Sequence, residues 1–589
     1  MKNKIRKTFS SSCIVIVRAI VLVIMSCEPF ICNSKASNAS AIFVSDDKSV
    51  AYFDNFIYKG NDNYYQSNPL PDKMSFYSTI LPGWNSDPSI CTNGQGDYFL
   101  VTSTFCYFPG VPIFHSRDLV NWKQVGYVLN RPSQLINLVG QGISGGIFAP
   151  AISYNPHNQT YYMITTNVGG GNFFVKTKNP YGSWSEPVYL RGVKGIDPSF
   201  FFDDNGKAYI VNNADPDDKP EYDGHRAIRV QEFDVENETT IDSPGKVLVN
   251  KGSHPEDNPI WIEGPHMYKI NGKYFLMCAE GGTSGNHSEV IFRSDSPMGP
   301  FTAWKNNPIL TQRNLDENRP DPITCAGHAD LIQAKEGDWW TVFLACRPID
   351  NKFENLGRET FMMPVKWSDD GYPYMTQGKD IIPMIQKRRD VTRASNVTFG
   401  NFEKDDDFST KKLGMDWFTL RAPATNLYSL NEKPGYLALH CSEISAADKK
   451  TPAFICRRIQ HHKFECATKM IFNSSNENDA AGLLLFKDEM HQYFLAVSKS
   501  GTKKKIELQQ ISSNGAKILF KQNFINNGSP IGLKVISQGT YYDFYYSTSA
   551  NKWQLLCQHI DARYLSTANC GGFTGTTIGL YAIKNNTNY

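Results

Sequence analysis

Three carboxylates in this chain recur in look-alike phrases. Asp87 opens Asp87-Pro88-Ser89-Ile90, Asp197 opens Asp197-Pro198-Ser199-Phe200, and Glu263 opens Glu263-Gly264-Pro265-His266. Apolar neighbours flank all three, which predicts partial desolvation. Burial and mutual repulsion raise the pKa of one carboxyl and keep its proton near neutral pH. A protonated acid facing an ionised base across a gap is the pair that cleaves a glycosidic bond. A single Asp-Pro is an ordinary turn opener, and structural turns are the competing reading. Recurrence at one shared place in a repeat is what gives the three acids a claim to joint chemistry.

The elements that would position them form a five-fold pattern. The remaining copies of the phrase are Ala149-Pro150-Ala151-Ile152 and Gly327-His328-Ala329-Asp330-Leu331. An aromatic-rich apolar run follows each copy, as in Tyr98-Phe99-Leu100-Val101 and Tyr274-Phe275-Leu276-Met277. Turn signals such as Asn93-Gly94 and Asn271-Gly272 punctuate the pattern, and long helical periodicity is absent. One repeat takes roughly 50 to 65 residues, enough for about four strands. The reading is all-β: a five-bladed β-propeller over 68–385, a linker over 386–400, and a β-sandwich over 401–589. Equivalent positions of a radial fold converge on its axis, so Asp87, Asp197 and Glu263 are expected to meet there.

Composition narrows the class. The formal charge is +2, with no dense basic stripe, which argues against a nucleic-acid partner. The 13 cysteines lack paired spacing and read as buried small hydrophobes rather than a zinc site or disulfide framework. Residues 1–32 read as a targeting segment: basic Met1–Lys7, then an apolar stretch too short for a comfortable membrane span. It ends at Ser26-Cys27 in a lipoprotein-like cleavage box, although Met25 fits that box poorly. The expectation is export from a bacterial cytoplasm, as a periplasmic or outer-membrane lipoprotein attached through Cys27, or as a secreted protein. Residues 33–67 read as a tether and lead-in.

These phrases, together with Gly146-Ile147-Phe148-Ala149-Pro150 and Gly357-Arg358-Glu359-Thr360-Phe361, resemble glycoside hydrolase family 43. Asp406-Asp407-Phe408, Leu413-Gly414 and Arg457-Arg458-Ile459-Gln460 resemble the β-sandwich appended to that family's β-xylosidases. The resemblance implies an inverting, exo-acting enzyme that removes a terminal β-D-xylosyl or α-L-arabinofuranosyl residue from plant oligosaccharides. It implies Asp87 as general base, Glu263 as general acid, and Asp197 as the group that orients Glu263 and raises its pKa. Arg358 matches a substrate-contacting arginine, with an ion pair to Glu359 as the alternative. His328 matches a histidine on the propeller axis, in some members beside a metal; no cofactor is required, and a structural calcium is the one candidate ion. Phe148 stands where the family usually has Trp, keeping an apolar face for the sugar. Trp84 and Phe105 are further candidates for the pocket wall, with blade packing as their alternative. The rivals are an α-L-arabinofuranosidase or endo-arabinanase on the same fold, and a non-catalytic carbohydrate-binding propeller.

Overall fold

Five antiparallel blades, three of four strands and two of five, surround one axis in the computed structural model, which describes residues 49–584 apart from 475, 526–527 and 550–551. The targeting segment and Cys27 lie outside these residues. The innermost strands are Ser89–Thr92, Ala151–Asn155, Ile196–Phe202, Glu263–Ile270 and Thr324–Gln333. Each abuts the next, and the fifth returns to the first. The ring is closed by the amino-terminal strand Thr79–Leu81, which pairs outside Glu359–Pro364 as the fourth strand of blade five.

Blade sheets are covered on both faces by their neighbours, so their second strands read as unbroken apolar runs rather than alternating ones. Tyr98–Val101 and Thr160–Asn167 are buried along their whole length. Trp122, Trp184 and Trp304, which follow the third strands in sequence, are buried in the blade cores.

The sandwich packs an eight-stranded sheet on a six-stranded one. Ala480–Asp488 and His491–Ser500 are neighbours in the six-stranded sheet, and Thr577–Ile583 lies between Ala480–Asp488 and Phe454–Arg458. The eight-stranded sheet corrects the reading of 33–67 as tether and lead-in. Val50–Gly60 pairs with Leu437–His440, Lys463–Asn473 and Glu403–Asp406, at the heart of that sheet. Its Phe53, Phe56 and Tyr58 fill the sandwich core, so the second domain includes a strand that precedes the propeller in sequence. The segment 386–400 is docked rather than free: Ile385–Lys387 pairs with Ser75–Tyr77, and Phe399 is buried against Phe76 and Tyr77.

Propeller and sandwich are joined by backbone. Tyr107–Phe108 of blade one pairs with Thr419–Leu420 of the sandwich. Arg421, fully buried, donates to the carbonyls of Gln141 and Lys450 and pairs with Glu489. A buried charge is tolerated there because its donors meet partners. Of the ten cysteines among the described residues, nine are buried and Cys570 is half-buried.

Candidate active site

The axial cavity is lined by equivalent residues of all five blades: Asp87, Ala149, Asp197, Gly264 and His328, with the residues that follow each. Three of these hold the left-handed backbone, with φ of 52° at Asp87, 52° at Asp197 and 50° at His328. Side chains other than Gly seldom adopt it, and such strain concentrates at functional sites. In blade four the left-handed residue is Gly264, at φ 54°. Glu263 therefore does not occupy the same place as the two aspartates; it precedes it by one residue. The pairing register shifts between Glu263 and His266 as it does between Ile196 and Ser199 in blade three, so Glu263 holds the strand position of Ile196, one before Asp197. Glycine is demanded at 264 by space as well: a Cβ there would fall 2.8 Å from the His328 imidazole.

All three acids are buried, yet their environments differ. Burial alone would raise Asp87, but the Arg358 guanidinium, His328 and a hydrogen bond from Ser103 together bring it below the usual carboxylate range. Arg358 Nη1 lies 3.3 Å from Asp87 Oδ1, and Ser103 Oγ donates to Oδ2 at 2.5 Å. His328 Nδ1 is 3.8 Å from Asp87 Oδ1. Burial lowers the His328 pKa to about 4, so above that pH Arg358 is the cation that counts.

Asp197 and Glu263 move the other way. Burial first, then the charge of Asp87, raises Asp197 to about 7. Burial first, then the charge of Asp197, raises Glu263 to about 8. Glu263 thus feels the charge of Asp197 as its foremost electrostatic neighbour. Asp197 is held by the Gly264 N–H, which donates to its Oδ2 at 3.2 Å, and its own N–H donates to Thr166 Oγ1. Asp87 is thus ionised and Glu263 protonated near neutral pH, which supplies both a proton acceptor and a proton donor.

Arg358 and Glu359 diverge as neighbours in a strand do. Glu359 takes a two-pronged contact from Arg347, at 2.8 and 2.7 Å, and a bond from the Gly83 N–H. Arg358 is free of it and faces Asp87. Phe148 is half-buried and meets Phe105 edge-on at 5.9 Å.

Trp84 is a correction. It is 0% exposed, so no ligand in the opening touches it. Its ring lies 4.6 Å from Tyr107 and 5.9 Å from Phe418, with the Arg458 guanidinium 4.0 Å from the ring centre. Arg458 Nε also donates to the Trp84 carbonyl at 2.6 Å. Trp84 is a seam residue between propeller and sandwich. Phe105 is likewise almost wholly buried, as a floor beneath other aromatics.

The sequence reading missed Phe573. It belongs to the sandwich, on the loop Gly571-Gly572-Phe573, and is tied down by its N–H donating to Ser144 Oγ at 2.9 Å. Its ring stacks on Phe105 at 6.0 Å, meets Phe148 edge-on at 5.6 Å, and lies 5.0 Å from the Arg358 guanidinium. The second domain thereby sets an aromatic beside Arg358 and the Phe105–Phe148 pair. An aromatic in a glycine-rich loop was the visible signal, but no repeat linked it to the axis.

Among the described residues, the groups able to gather three metal ligands are Asp488, His491 and Cys570, and His254, Glu256 and Asp257. Neither includes His328 or the three acids.

Residues 76–373 match the sequence profile of glycosyl hydrolases family 43, and 405–589 match that of the beta xylosidase C-terminal concanavalin A-like domain. The chain is 37% identical over 526 residues to a non-reducing end alpha-L-arabinofuranosidase of Bacteroides ovatus, covering 88% of this chain and 94% of that one. It is 38% identical to a xylosidase/arabinosidase of Butyrivibrio fibrisolvens, covering 86% and 95%. A crystal structure of a GH43_12 protein from a capybara gut metagenome superposes with a TM-score of 0.84 at 40% identity, covering 91% of this chain and 99% of that one.

Proposed function

The chain belongs to glycosyl hydrolases family 43, and we propose that its three axial carboxylates divide the work of hydrolysis among them. It is an exo-acting xylosidase/arabinofuranosidase. Asp87, ionised beside Arg358, takes a proton from water as that water attacks the anomeric carbon. Glu263 gives its proton to the departing glycosidic oxygen. Asp197 orients Glu263 and, through its charge, holds that proton until it is needed. Water attacks from the face opposite the leaving group, so the sugar is released with inverted configuration.

Arg358 also offers N–H donors to sugar hydroxyls, and Phe148 and Phe573 offer apolar faces to the ring. The observation that carries this reading is the opposite displacement of equally buried carboxyls: Asp87 down, Glu263 up. Phe573, reaching from the sandwich to Phe105 and Phe148 of the propeller, favours chain ends over internal bonds, which sets the endo-arabinanase reading aside. We place terminal β-D-xylosyl first and α-L-arabinofuranosyl second among substrates. The non-catalytic alternative loses ground because all three acids are present.

The test is release of 4-nitrophenol from the β-xyloside and the α-arabinofuranoside, with proton NMR of the first-formed sugar. Turnover of at least one substrate with the inverted anomer appearing first is expected. Silence on both with retained sugar binding would favour the binding module, and first appearance of the retained anomer would remove the water-activating role of Asp87. Export with lipid on Cys27 belongs to the same proposal. Labelled fatty acid that fails to enter the wild-type protein in its bacterial host would remove the lipid.

A further inference from the structure

We propose that Trp261 is the platform for the leaving-group sugar, and that its indole face selects substrates whose departing unit is a pyranose ring. The proposal rests on Glu263 being the general acid. The acid must reach the glycosidic oxygen, so the departing sugar sits on its outward side. Trp261 lies two residues before Glu263, and the residue between them, Ile262, is 0% exposed.

Among the described residues only two tryptophans are counted as exposed, Trp261 and Trp367, each at 37%. A lone exposed apolar side chain needs no explanation. Trp367 has one nonetheless, packing edge-on against Trp339 at 5.8 Å. Trp261 is set apart by its place and by how it is held. Its N–H donates to the Gly224 carbonyl at 2.8 Å, and its backbone is left-handed at φ 52°. Gly224 and Gly282 leave room for the ring: a Cβ at Gly224 would fall 3.2 Å from the indole nitrogen, and one at Gly282 would fall 3.6 Å from its Cδ1.

Arg226 lies 5.9 Å from the ring centre and ties the indole to the acids. Its Nε donates to Asn213 Oδ1 at 2.8 Å, and it pairs with Asp215. Asn213 is the partner of Ile196 across the strand pair, next to Asp197. The charge of Arg226 is felt by both Asp197 and Glu263. A half-open indole, with Arg226 near its ring and the proton donor two residues on in the chain, offers an apolar face to a pyranose.

The test compares substrates that share the transferred sugar and differ in the leaving group. Xylobiose is set against β-D-xylosyl fluoride, and arabinofuranosyl-xylobiose against α-L-arabinofuranosyl fluoride; fluoride has no ring to stack. In Trp261→Ala the ratio of kcat/KM for the saccharide to that for the fluoride should fall about tenfold. Trp261→Phe, which keeps an aromatic face, should recover most of it. An unchanged ratio in Trp261→Ala, or equal losses in both variants, would overturn the platform. Wild-type silence on all four substrates would overturn the hydrolase reading, and the platform with it.

Discussion

Asp87 and Glu263 come from two different blades, are buried alike, and are pushed in opposite directions. Desolvation is the largest influence on both, and it favours the neutral acid in each case. What separates them is company. Asp87 has a guanidinium within 3.3 Å and a hydroxyl donor at 2.5 Å. Glu263 has a second carboxyl, Asp197, as its foremost electrostatic neighbour. Burial magnifies whatever charge lies nearby, because a low local dielectric strengthens attraction and repulsion alike. The same depth can therefore produce a base on one side and an acid on the other.

Removing a partner outright breaks the comparison most severely. Asp87→Ala leaves water without its proton acceptor, and kcat should fall about ten-thousand-fold on every substrate. Glu263→Ala should cost about a thousand-fold on xylo-oligosaccharides and much less on an aryl glycoside, whose leaving group needs little protonation. Equal losses on both substrates in steady-state assays would contradict the role of Glu263.

Changing the company while keeping the acids sharpens it. Asp87 acts ionised, so activity is lost as pH falls through its lowered pKa. Glu263 acts protonated, so activity is lost as pH rises through its raised pKa. Arg358→Met removes the cation, raises Asp87, and should move the acid limb of the kcat/KM profile to higher pH. Asp197→Asn removes a negative charge, lowers Glu263, and should move the alkaline limb to lower pH. A profile in which either variant shifted the opposite limb would mean that the two sides are not separately tuned.

The blades were legible because each repeats turn chemistry and an apolar run, and closing a ring needs only that count. Asp87 and Asp197 were legible because proline follows each and marks the register. The offset of Glu263 was hidden by the same device. Its proline comes two residues later rather than one, and only the left-handed Gly264 reveals which residue is equivalent. Val50–Gly60 was hidden because its sheet partners lie some 400 residues away, beyond any local pattern. Phe573 and Trp84 went astray for a related reason. Aromatic character speaks of burial or stacking, and only the docking of one domain on the other decides between them.

Trp84 supplies the mildest and most discriminating substitution. The indole is enclosed, and Arg458 stacks on it while bonding its carbonyl. Trp84→Phe keeps a ring but forfeits area and part of the cation–π attraction, a loss of about 1–2 kcal/mol. Melting should fall by a few degrees, as a domain seam rather than a subsite loosens. Both limbs of the pH profile should stay in place, because the substitution alters no charge beside the acids. A KM that rose several-fold at unchanged melting temperature would return Trp84 to the sugar pocket.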